Sequence, residues 1–356
     1  MSGSQLSRRV TCEALETREE PTREDSVTRE RRLVMTLAVA SLILAFVITA
    51  VYRATAILDG GAESRPKIVV ILKCVDYKGT VFWQTVKDGV ESASQDYDVD
   101  FTILGPMNET QVDEQIRIAQ DVILSKPDAI VLAATDYDRL VPVAAQIKAA
   151  HIPLVTIDSF INSNDADARI GTDNYDAGQK AGAALMEHLS PGSPVVIMSY
   201  IQGTSTAIDR ESGVRDFLKG KAEILYTLYS SAVSDIAYNQ AIELLRANPD
   251  VKGIVALNDP TTIGVARALS ESGRHQDVVL IGFDNSQAVL GYVESGIVRD
   301  TIVQRPFNMG YLGVKTALEL IRGKQVEPFI DTGSKVINRQ NMLLPENQEL
   351  LFPVTW

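Results

Sequence analysis

Hydrogen-bonding side chains recur in one context along this chain. Asp158 closes the run PLVTID, Asp284 closes VVLIGFD, Gln304 closes DTIVQ, and Asn258 follows GIVAL. Each stands at the carboxyl end of a short, β-branched apolar segment. Thr80, Phe82 and Trp83 come soon after IVVIL, where a helical pattern starts, and Arg210 lies in GTSTAIDRESG, after VVIMSY. Carboxylates accept hydrogen bonds, amides donate and accept, and a guanidinium only donates. Aromatic faces pack well on the apolar face of a sugar ring. This mixture suits a neutral, polyhydroxylated ligand. An anion calls for several cations, and a metal for clustered oxygens or imidazoles. Each residue also has a plainer reading: Asp158 and Asp284 as caps or turn residues, Phe82 and Trp83 as core, Arg210 as a solvated helix residue.

The elements that must position these residues alternate in kind. Apolar runs at 68–72, 99–105, 129–134, 153–158, 195–200, 222–229, 253–257, 278–284 and 300–304 are separated by amphipathic stretches. Val112, Ile116, Ala119, Ile123 and Leu124 form one such apolar stripe. Runs that are apolar throughout suit strands buried on both faces of a parallel sheet. Their alternation with helices predicts an α/β chain with right-handed crossovers. So many units exceed one comfortable core, which predicts two lobes; a closed eight-fold barrel is the competing architecture. Ligands in open parallel sheets bind beyond the carboxyl ends of the strands, where the polar residues stand.

Composition narrows the function. The chain has 356 residues and a formal net charge of −12, which argues against a nucleic-acid partner. Cys12 and Cys74 cannot build a disulfide framework, and no Cys/His spacing suits zinc. No Gly-rich phosphate loop follows a strand. His151, His188 and His275 offer no nucleophile–base spacing, so neither an enzyme, a metal nor a cofactor is expected. Leu33–Tyr52 is uncharged and twenty residues long, enough to cross a bilayer as a helix. Arg29, Arg31 and Arg32 precede it and only Arg53 follows, which places the N-terminus in the cytoplasm and the rest outside the cell membrane. A signal peptide cleaved near Ala56 is the alternative. Residues 1–32 read as a disordered cytoplasmic segment and 53–66 as a tether.

Eight motifs then occur in a telling order: VFWQTVKDGVESA at 81–93, PDAIVLAATD at 127–136, IPLVTIDS at 152–159, IGTDNYDAGQKAG at 170–182, GTSTAIDRESGVRDFL at 203–218, NPDVKGIVALND at 248–259, IGFDNS at 281–286 and VESGIVRDTIVQRPFNMG at 293–310. Over roughly 67–345 the chain resembles the ribose-type periplasmic sugar-binding proteins, whose type I periplasmic binding fold is shared with LacI-type repressor cores. The resemblance implies two Rossmann-like lobes with parallel sheets joined by three crossovers. Lobe one would be 67–172 with 305–333, lobe two 173–304 with 334–345, and 346–356 a tail. It implies stacking by Phe82 and Trp83 and ligand hydrogen bonds from Asp158, Arg210, Asn258, Asp284 and Gln304.

There are departures from the family pattern. Ser159 stands where ribose binders carry arginine, and Thr80 stands near the place of a loop asparagine. SSAVSDIAYNQ lacks an obvious aromatic to close from lobe two, with Ser234 or a neighbour in its place and Tyr238 nearby. A different sugar, a polyol or a furanone signal is therefore open. The implied partner is an ABC permease; the alternative is a signalling-only sensor, of sugar or autoinducer type, acting on a membrane sensor kinase. A repressor is disfavoured because a membrane span stands where the basic DNA-binding module would be.

Overall fold

The computed structural model describes residues 23–58, 65–76 and 81–352. It divides into an N-terminal unit and a compact unit beginning at Arg65. The N-terminal unit is one helix, α1 (Arg23–Leu58). Its stretch Val34–Val51 has a mean hydropathy of 2.6 and is wholly unburied, so it is long and apolar enough to cross a membrane. The helix overruns the apolar segment at both ends. Residues 23–32, expected to be disordered, and 53–58, expected to be part of a tether, are helical. These flanks are rich in Arg, Glu and Ala, which extend an already nucleated helix at little cost. Residues 1–22 and 59–64 lie outside the described residues.

The second unit holds two open sheets, which excludes the barrel. In the first, β1 (Lys67–Ile71), β2 (Asp100–Leu104), β3 (Ala129–Leu132), β4 (Leu154–Ile157), β5 (Ala168–Gly171) and β11 (Phe329–Asp331) are ordered β11-β5-β4-β3-β1-β2, all parallel. In the second, β6 (Pro194–Ser199), β7 (Glu223–Tyr229), β8 (Gly253–Ala256), β9 (Val279–Phe283), β10 (Val298–Val303) and β12 (Lys335–Asn338) are ordered β12-β10-β9-β8-β6-β7. Here the edge strand β12 runs antiparallel to β10.

Helices cover both faces of each sheet, which explains the continuous apolar runs. Along β3, Ala129 and Val131 enter the core on one face while Ile130 and Leu132 enter the core on the other. In β8, Ile254 and Ala256 face one core and Val255 the opposite one. The helices of lobe one are α2 (Val81–Tyr97), α3 (Val112–Ser125), α4 (Val141–Ala149) and α10 (Pro306–Ile321). Those of lobe two are α5 (Asn174–His188), α6 (Ser205–Leu218), α7 (Ser234–Ala247), α8 (Asp259–Glu271), α9 (Gln287–Ser295) and α11 (Pro345–Leu351).

Two close helix contacts bear on the site. A Cβ on Gly89 would lie 2.1 Å from the Phe307 carbonyl oxygen, so α2 and α10 meet backbone to backbone. A Cβ on Gly178 would lie 2.2 Å from the carbonyl oxygen of Arg210, so glycine lets α5 press against the turn of α6 that carries this arginine. The stretch expected to be a tail contains α11, whose Leu350 and Leu351 are buried in the core of lobe two. Their apolar side chains join Met342 in that core, and this burial accounts for the docking.

Candidate functional site

The two sheets present their carboxyl ends to a shared cavity of about 920 Å³. On the lobe-one side Lys73 emerges just past β1 and is only 3% exposed. Its Nζ lies 3.2 Å from Oδ2 of Asp158 and 3.5 Å from Oε2 of Glu109. Burial alone would push its ammonium pKa down. The charges of Asp158 and Glu109 outweigh that and hold it above the ordinary lysine range. Trp83 packs beneath this ammonium, 5.5 Å from ring centroid to Nζ, and donates its indole N–H to Oε1 of Glu109 at 2.8 Å. Phe82 meets Trp83 edge to face at 5.0 Å.

Asp158 follows β4 with φ +57, a left-handed conformation that Asp tolerates better than most residues. Its N–H still donates to the carbonyl of Ile170, so the β4–β5 ladder runs up to the site residue itself. Asp284 repeats the arrangement in lobe two. It follows β9 with φ +70, and its N–H donates to the carbonyl of Ile302 on β10. Neither aspartate caps the following helix; α9 is capped by Ser286. Asn258 does cap α8, accepting from the N–H of Thr261, and also lines the cavity.

The lobe-two wall is built on carboxylates. Asp284 accepts from Nε2 of Gln304 at 2.6 Å and from the backbone N–H of Asp259 at 3.1 Å. Burial pushes the Asp284 carboxyl pKa up, against the opposing pull of Arg210 and of these hydrogen bonds. The neighbouring Asp259 is pushed up to about 7, first by burial, then by the charge of Asp284, with hydrogen bonds from Ser286 opposing. Its Oδ1 is buried without a hydrogen-bond partner. Arg210 is 2% exposed and is pinned on three sides. Its Nε donates to Oδ1 of Asn174 at 2.8 Å, its Nη1 to the Leu257 carbonyl at 2.7 Å, and its guanidinium stacks 4.5 Å from the Phe283 ring centroid.

Polar contacts join the lobes. At the crossovers, Thr172 donates its hydroxyl to Oε1 of Gln304 at 3.0 Å, linking the end of β5 to the end of β10. Across the cleft edge, the N–H of Tyr137 donates to the Gly203 carbonyl at 2.7 Å. The Ser205 hydroxyl accepts from the N–H of Phe160 at 2.8 Å and lies 3.2 Å from the Ser159 hydroxyl.

Seven of the residues singled out in the sequence line this one cavity: Phe82, Trp83, Asp158, Arg210, Asn258, Asp284 and Gln304. Thr80 lies outside the described residues. Ser159 does not line the cavity. It is fully buried at the contact with Ser205, because the left-handed turn at Asp158 sends successive side chains in different directions. Ser234 and Tyr238 are also elsewhere; the Tyr238 hydroxyl donates to Glu271. The lobe-two aromatics at the cavity are instead Tyr200, after β6, and Phe352, after α11.

Sequence reasoning missed Lys73, Glu109 and Tyr200, and it noted Asp259 beside Asn258 at a strand end without assigning it to the ligand. Lys73 and Tyr200 also stand at strand ends, so the rule that found Asp158 reaches both. Glu109 sits in a loop with no signal of its own.

Two six-stranded sheets with ligand-type side chains converging from both define a two-lobed binding protein. Residues 68–325 match the family model described as periplasmic binding protein domain, and the chain belongs to that family, on its ribose-type sugar-binding branch. It is 29% identical over 273 residues to the D-ribose/D-allose-binding protein of Pseudomonas aeruginosa, covering 74% of this chain and 84% of that one. It is 26% identical to the ribose import binding protein of Escherichia coli, covering 80% and 95%. Among solved structures, an ABC transporter solute-binding protein of Agrobacterium vitis with bound D-fucose shares 36% identity at a TM-score of 0.77, covering 80% of this chain and 100% of that one. A carbohydrate-transporter solute-binding protein of Agrobacterium radiobacter with D-arabinose gives 30% and 0.77, covering 81% and 99%.

Proposed function

We propose that this chain is a membrane-tethered, extracytoplasmic receptor that clamps a small neutral sugar between its lobes and presents it to an ABC permease. The observation that carries this is the pairing of Asp158 and Asp284. Two carboxylates, each held at a strand end in the same left-handed turn, face one cavity from opposite lobes. Carboxylates accept from sugar hydroxyls and Arg210 donates to them, while Phe82 offers an aromatic face; Trp83, expected to stack, is buried in the core beneath Lys73. Seven carboxylates against three cations along the cavity disfavour an anionic ligand. Sugars that contact both lobes favour the closed arrangement, with bending at the crossovers near Thr172 and Gln304.

Ser159 stands where the family pattern has an arginine after the aspartate, and the buried cation of lobe one is instead Lys73, from the end of β1. This points to a sugar other than ribose. Helix α1 is read as the anchor, and it would keep the receptor near its permease at high effective concentration. The test is calorimetric titration of the full chain with D-ribose, D-allose, D-arabinose and D-fucose, followed by thermal melts. Binding of at least one sugar, with a rise in Tm, is expected. No binding by any sugar panel would overturn the reading. Mass analysis of the mature chain tests the anchor: cleavage near Ala56 would remove it.

A further inference from the structure

The cavity is longer than its polar cluster. Its lobe-one wall continues through Val81, Thr85 and Asp88 of α2, and its lobe-two wall through Gln287, Leu290 and Glu294 of α9. Each series repeats at helical spacing and follows one helix face for two turns, about 10 Å. Both helices follow strands whose ends carry the polar cluster, and both lead away from it. The cleft is therefore continuous from the inner site into an outer groove, and the whole reaches about 920 Å³. That is near the top of the range for pockets enclosing entire drug-sized ligands, roughly 300–1,000 Å³.

The groove repeats the chemistry of the inner site. Asp88 and Glu294 supply carboxylates, and Phe307 and Phe352 supply aromatic faces. Val81 and Phe352 are 56% and 55% exposed, large apolar surfaces left uncovered at the mouth. The C-terminal part of this wall lies beyond the 68–325 family match. It is nevertheless built into the site: Asn285, next to Asp284, donates its side-chain N–H to the Leu351 carbonyl at 2.9 Å.

We propose that the inner cluster holds one sugar ring and the outer groove a second ring joined to it, so that this receptor takes a disaccharide. The inference rests on the sugar-receptor reading and extends it. Gly291 provides a clean test. It lies on the groove face of α9, and a Cβ there would meet nothing within 4 Å. Gly291→Trp thus starts an indole from open space on the groove face, where its Cβ displaces no protein atom.

The experiment is calorimetry on the full chain, in a detergent without a sugar headgroup, with the four monosaccharides above and disaccharides containing them. At least one disaccharide should bind about tenfold more tightly than its component monosaccharides. Gly291→Trp should abolish that advantage and leave monosaccharide affinity within about twofold. Monosaccharides that bind as tightly as every disaccharide, or a substitution that weakens both alike, would overturn the second subsite while leaving the receptor standing. Binding of neither class would remove both readings together.

Discussion

The two walls of the cleft solve the problem of buried charge in opposite ways. In lobe one a single ammonium, Lys73, sits between Asp158 and Glu109, and the indole of Trp83 completes the shell of Glu109. The charges there are compensated by the protein. In lobe two, Asp259 and Asp284 lie side by side, and the nearby cation, Arg210, spends its Nε and Nη1 on Asn174 and on the Leu257 carbonyl. One oxygen of Asp259 has no partner. Lobe one is thus preorganised, whereas lobe two retains unmet acceptor capacity that hydroxyl donors can fill. The same kind of residue should therefore behave differently on the two sides when it is changed.

The largest effect is expected from Lys73→Met. Removing one partner of a buried ion cluster leaves uncompensated charge and typically costs about 3–5 kcal/mol. Urea unfolding should show that loss, and Asp158→Asn with Glu109→Gln in the same chain should recover much of it. A small loss in the single variant would mean that lobe one is not organised around this lysine. Asp259→Asn should do the reverse. A carboxyl whose pKa is raised by folding, here to about 7, stabilises the protein below its unfolded value of 3.8, and that stability is lost as pH rises through 7. The wild-type Tm should then fall between pH 4 and 8, and Asp259→Asn should flatten the fall, worth on the order of a few kcal/mol. An unchanged profile would remove Asp259 as its source.

How much of this was legible in the sequence follows from what each feature depends on. The sheets were legible because both faces of strands such as β3 are buried, so the apolar pattern is unbroken and local. The polar residues at strand ends were legible for the same reason: once the strand is placed, its end is placed. Lys73 obeys that rule too, but a lysine after a strand usually reaches solvent, and only the approach of Glu109 from a separate loop shows that it is buried. Ser159 failed through backbone geometry. The positive φ of Asp158 turns the chain, and no residue type announces where the next side chain will point. Helix α11 escaped because its two buried leucines are too few to make a periodic signal.

Asp284→Asn sharpens the comparison at smaller amplitude. It keeps the shape and one acceptor oxygen, but it gives up one of the two hydrogen bonds from Gln304 and the Asp259 N–H and the charge to which sugar hydroxyls would donate. A charge-assisted hydrogen bond is worth about 2 kcal/mol, so affinity should fall roughly 30-fold, while stability at pH 8 should change less, because relief of the buried charge offsets the lost bond. Equal losses of affinity and stability would make lobe two as preorganised as lobe one.

The smallest effect separates the cleft from its edge. Ser159 touches no part of the cavity, yet its hydroxyl meets Ser205 of the other lobe. That contact exists only while the lobes are together. Ser159→Ala should therefore leave the contacts of the inner site intact and shift the balance away from closure. One hydrogen bond of about 1 kcal/mol corresponds to roughly a fivefold loss in apparent affinity. The loss should be the same for every sugar that binds, because it acts on closure rather than on recognition. A sugar-dependent change would return Ser159 to the binding site.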